Sequence, residues 1–91
     1  MLPVPIVKEP PVLPLELVRV HIGEMAIVYS VINTEGKMEQ MSVLQSPDLL
    51  LNRPVLDALS QWVFRPGLLN GAPVAVKALM GIPLWLPVPP G

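Results

Sequence analysis

Sixteen residues, 61 to 76, constrain this chain most. They read Gln-Trp-Val-Phe-Arg-Pro-Gly-Leu-Leu-Asn-Gly-Ala-Pro-Val-Ala-Val. The stretch opens on the last turn of an amphipathic helix and carries two large aromatics, Trp62 and Phe64. It breaks at Arg65-Pro66-Gly67, because neither Pro66 nor Gly67 continues a helix. It turns again at Asn70-Gly71, a pair that readily takes positive φ, and an alternating strand starts at Val74. A helix must therefore be joined to a late strand here, with two aromatic rings between them. Trp62, Phe64, Pro66 and Gly71 are the expected structural anchors of that joint.

Ninety-one residues allow one small domain. Such a domain buries roughly 60–65% of its unfolded surface. With 52% hydrophobic residues and a mean hydropathy of +0.56, some apolar surface should stay exposed or be covered by a partner. The longest apolar runs are far too short to span a bilayer. The scattered Lys8, Arg19, Lys37, Arg53, Arg65 and Lys77, at net charge −1, form no basic stripe, which removes the electrostatic basis for nucleic-acid binding. The absence of cysteine excludes disulfides and thiolate chemistry. Met1 leads straight into proline-rich sequence without a charged start, so no secretory leader is expected in these residues. The chain fits either a cytoplasmic protein or a domain of a longer exported one.

Residues 1–14 hold Pro3, Pro5, Pro10, Pro11 and Pro14, a density that forbids a helix and favours extended conformations. They read as a disordered tail, and also as the end of a semi-rigid spacer. Leu15 to Ile22 fits a short helix stripe or an alternating strand; Pro14 before it and Gly23 after it favour the helix. Met25 to Asn33 is a strand with two largely apolar faces, followed by a turn at Asn33-Thr34-Glu35-Gly36. Lys37 to Gln45 is the returning strand. Its apolar residues Met38, Met41 and Val43 are out of phase, and a bulge near Glu39-Gln40 would return them to one face and turn Leu44 outward.

Leu49-Leu50-Leu51 reads as a compact turn. A helix follows, with Asn52 as N-cap, Pro54 in its first turn, and Val55, Leu56, Leu59, Trp62 and Val63 on one apolar face. The last strand runs from Val74 to Leu86, with Val74, Val76, Ala78, Met80, Ile82 and Leu84 alternating with their neighbours. Pro83 lacks an N–H and so suits an edge strand. Met25, Met38, Met41 and Met80 are assigned to inward faces, and Val28, Ile32, Leu44, Leu79 and Trp85 to outward ones. Trp85 fits a contact residue and a lid over the second sheet face equally. The expected fold is α+β: three antiparallel strands with one main helix on one face, in the order (helix)–strand–strand–helix–strand. Residues 15–86 form the domain, between proline-rich segments 1–14 and 87–91.

Three segments, in order and suitably spaced, resemble the C-terminal domain of TonB and related energy transducers. They are Gly23-Glu-Met-Ala-Ile-Val-Tyr-Ser-Val31 through Gly36, then Lys37-Met-Glu-Gln-Met-Ser-Val43 with its odd step, then Asp57 to Pro66 followed by Leu68 to Val74. The resemblance implies a non-catalytic periplasmic domain, tethered to the inner membrane by an upstream helix and a proline-rich spacer. It also implies that the domain takes up a short peptide of an outer-membrane transporter, or another periplasmic protein, as an added strand beside its last strand. The edge implied is Val74, Ala75, Val76, Lys77, Ala78, Leu79, Met80, Gly81 and Ile82.

Other chemistries lack support in the sequence. His21 is the single histidine and stands in no metal-ligand spacing. Glu35 and Glu39 flank a turn, where solvated charges are the ordinary reading. No serine lies in a nucleophile motif, and no cofactor is expected. The alternative function is a self-associating assembly module, a homodimer for example, that uses the outward apolar face or the edge strand.

Overall fold

The computed structural model describes residues 1–84. The order is β1 (Val4–Val7), α1 (Leu15–Val20), β2 (Met25–Ile32), β3 (Met38–Gln45), a 3-10 turn (Leu49–Leu51), α2 (Asn52–Leu59), β4 (Val63–Arg65), β5 (Gly67–Leu69), β6 (Ala72–Val74) and β7 (Val76–Pro83). The α+β expectation holds: β3-β2-β7 form an antiparallel sheet, and α2 packs on one face with the short α1 ahead. Four short strands join this frame, β1 pairing with β4 and β5 with β6, both antiparallel.

The β2–β3 turn follows from Asn33. Its Oδ1 accepts from the amides of Glu35 and Lys37 at 2.9 and 3.0 Å, and Gly36 takes φ +82°. The expected bulge is present: the β2–β3 register shifts between Tyr29 and Val31, opposite Gln40, whose φ is +52°. Met38 is buried, Met41 and Val43 pack against the same core, and Leu44 is exposed. A second shift lies between Ile27 and Val28.

The core is formed by Ala26, Val28, Ile32, Met38, Val55, Leu59, Phe64 and Ile82. A second cluster, Val18, Leu51 and Leu84, sits beneath α1. Removing side chains such as Val55 and Leu59 from water contributes about 1.5–3 kcal/mol each. Several sequence assignments are corrected here. Val28 and Ile32 are not outward but core residues, and Met25 is not inward but exposed, with its sulfur over Gly81. Both faces of β2 are apolar, so its period fixes which residues share a face but not which face meets the helix. Asn52 is not the N-cap: Asp48 caps, its side chain accepting from the Leu50 amide at 2.8 Å, and the 3-10 turn runs directly into α2. The helix ends at Leu59, leaving Trp62 in the connection and Val63 in β4.

The proline-rich start also differs from a disordered tail. Val4–Val7 lies along β4, and prolines at alternate positions 3 and 5 are compatible with an extended strand. Trp85, Leu86 and the expected 87–91 tail lie outside the described residues.

Candidate functional site

The last strand is shorter than expected at its start. Val74 ends β6, where it pairs with Gly67, and Ala75 stands between the strands. Val76 to Ile82 all lie in β7, followed by Pro83. The Asn70-Gly71 turn, with φ of +53° and +81°, closes the β5–β6 hairpin and draws Val74 into it.

One flank of β7 is paired with β2 in unbroken register, from Met25–Pro83 to Ile32–Val76. The Leu84 amide donates to the Glu24 carbonyl at 3.0 Å and the Leu84 carbonyl accepts from the Gly23 amide at 3.1 Å, so the backbone groups of Leu84 face the β2 side. Residues facing the partner strand in this way alternate along an antiparallel ladder. Ala26–Ile82, Val28–Met80, Ser30–Ala78 and Ile32–Val76 are then the bonded pairs. The backbone groups of Lys77, Leu79 and Gly81 consequently point away from β2. Pro83 belongs to the same outward set, which is why its missing N–H takes nothing from the ladder. Among the described residues no strand pairs with this outer edge.

Side chains follow the same alternation. Val76, Ala78, Met80 and Ile82 face the core side; Lys77, Leu79, Gly81 and Pro83 face outward, with Leu79 66% exposed. That outer face also carries Met25 and Leu44, 41% and 60% exposed.

Of the four anchors, Phe64 lines a groove beside the start of β7, and Trp62 stands next to it. Phe64 is buried and its ring centroid lies 6.1 Å from that of Trp62. Phe64 also sits over Gly36, donating its amide to the glycine carbonyl at 2.8 Å. Trp62 Nε1 donates to the Glu9 carbonyl at 2.9 Å, and Lys8 Nζ lies 5.9 Å from its ring centroid. Pro66 is half-buried, while Gly71 stands in open space. Sequence reasoning missed Leu2, Pro3 and Pro5, which stand across a groove from Val76–Met80. Their signal was the strand-compatible alternation of prolines 3 and 5, hidden within the overall proline density. His21 Nδ1 lies 2.6 Å from Glu24 Oε2 in the α1–β2 turn.

The family described as the Gram-negative bacterial TonB protein C-terminal matches residues 9–82. The chain belongs to this TonB C-terminal domain family. Among solved structures, the solution NMR structure of the Pseudomonas aeruginosa TonB C-terminal domain superposes with a TM-score of 0.73 at 27% identity, over 92% of this chain and 86% of that one. No curated protein matches the chain. TonB C-terminal domains are non-catalytic protein-interaction domains of energy transduction, working in the periplasm with outer-membrane transporters as partners.

Proposed function

We propose that this domain binds an extended segment of an outer-membrane transporter, or of another periplasmic protein, by adding it as a strand to the free edge of β7. The observation that carries this reading is the outward-facing backbone of Lys77, Leu79 and Gly81, which no strand among the described residues pairs. Hydrogen bonds to these groups supply affinity without regard to sequence, and alternate side chains supply selectivity. Lys77 guards the same edge against uncontrolled pairing. In the full-length protein, the proline-rich start continues a spacer from an inner-membrane helix. Among the described residues no helix is long and apolar enough to cross a membrane.

Titration with blocked extended peptides, followed by backbone amide NMR, tests the reading. The Lys77, Leu79 and Gly81 amides should shift first and most. Shifts confined to α2 or to the outer face of β3 would defeat it.

The exposed Met25, Leu44 and Leu79 favour a second reading, self-association through the outer sheet face or the β7 edge. Sedimentation across micromolar concentrations separates the two, since a strict monomer rules out the second. A dimer built through β7 would compete with the peptide.

A further inference from the structure

The groove beside β7 has a volume of about 380 Å³. One wall comprises the start of β7 together with Phe64; the other comprises Leu2, Pro3 and Pro5 of the N-terminal arm. The arm is built into the fold. β1 pairs with β4, the Leu68 amide donates to the Met1 carbonyl at 2.9 Å, and Trp62 holds the Glu9 carbonyl. Apart from Lys77, every residue lining the groove is apolar.

We infer that this groove is a side-chain pocket that selects the added strand, accepting an apolar side chain and disfavouring a polar one. The inference rests on strand addition at β7. Side chains of neighbouring strands share a face where the residues stand opposite each other. An incoming residue opposite Ala78 or Met80 therefore points to the core side, where the arm closes the groove. Ala78 is small and leaves room there. The free backbone groups of Lys77 and Leu79 beside the groove specify an extended occupant, and the apolar walls specify its alternate side chains. A polar side chain lodged between Pro3, Pro5, Phe64 and Met80 would lose water without gaining a partner. The proline-rich arm is thus a specificity-determining element as well as a spacer.

Two blocked peptides test this, Thr-Val-Lys-Val-Glu-Val-Thr and the same sequence with asparagine at each valine. Amide shifts at Lys77, Leu79 and Gly81 report strand addition, and the Met80 methyl reports the groove. The valine peptide should bind at least about tenfold more tightly and shift the Met80 methyl. A Leu2→Ser/Pro5→Ser double variant, altered only in the arm, should retain the edge shifts and lose most of the discrimination. Edge shifts with equal affinity for both peptides would overturn the pocket and leave strand addition standing. A Met80 shift without edge shifts would overturn strand addition, and with it the groove's role in selecting an added strand. No response at either place would overturn both.

Discussion

A Cβ on Gly36 would fall on the carbonyl oxygen of Phe64, and the same glycine accepts a 2.8 Å hydrogen bond from the Phe64 amide. The β2–β3 turn and the aromatic anchor are thus packed backbone against backbone. Gly36 also has φ +82°, so alanine there carries both a conformational cost and a collision. Gly71 has nearly the same φ, +81°, with nothing within 4 Å. Gly71→Ala should cost only about 1 kcal/mol. Gly36→Ala should cost about 3 kcal/mol or more, because overpacking adds to the same φ penalty. Urea unfolding of the two variants measures the difference; equal midpoints would refute the contact.

The corrected helix start makes a second contrast. Asp48 accepts from Leu50, whereas the Asn52 Oδ1 is buried without a partner. Asp48→Ala should lose about 1 kcal/mol. Asn52→Ala should be neutral or gain up to about 1 kcal/mol, since it removes an unsatisfied acceptor and improves helix propensity. Thermal melts of both variants check the order, which an Asn52 cap would reverse.

Trp62→Phe keeps an aromatic ring in the cluster but deletes the Nε1 donor to Glu9. The arm should loosen selectively. Hydrogen exchange at Val4, Ile6 and Val7 is expected to accelerate severalfold, while Val28 and Met80 keep their protection. Uniform acceleration across β2 and β7 would mean that the tryptophan serves the core alone.

The alternation of backbone groups along β7 predicts opposite outcomes for proline at adjacent positions. Leu79→Pro removes an N–H that faces the free edge, from a residue 66% exposed, so the fold should survive. Affinity for an added strand should fall at least about tenfold, for want of one donor and a clear approach. Ala78→Pro removes an N–H from the β2 ladder and should cost about 3 kcal/mol or more. Circular dichroism with peptide titration distinguishes the two. A folded Ala78→Pro beside an unfolded Leu79→Pro would reverse the edge assignment.

Much of this architecture was legible in the sequence through local constraints. Pro14 and Gly23 bracket α1, Asn33 and Gly36 turn the chain between β2 and β3, and Asn70-Gly71 turns it again. The odd step from Met38 to Met41 requires a bulge, and Gln40 takes positive φ to supply it. The turns survive because proline and glycine, with asparagine, favour backbone conformations that few residue types reach at low cost. The bulge is legible from the phase of the apolar residues, not from the identity of Gln40. Three homologous segments in order were enough to point to the family.

What only the tertiary structure decided concerns faces and long-range partners. Val28 and Ile32 lie inside and Met25 outside because α2 covers one of two apolar faces, a choice that a period of two does not encode. Val74 leaves the edge strand because a hairpin partner, Gly67, takes it first. The arm at residues 1–7 is ordered by β4, Leu68 and Trp62, about sixty positions away in the chain. Residues 61–76 were legible as a joint. That the same stretch also orders the arm and sets one wall of the groove beside β7 follows from packing alone.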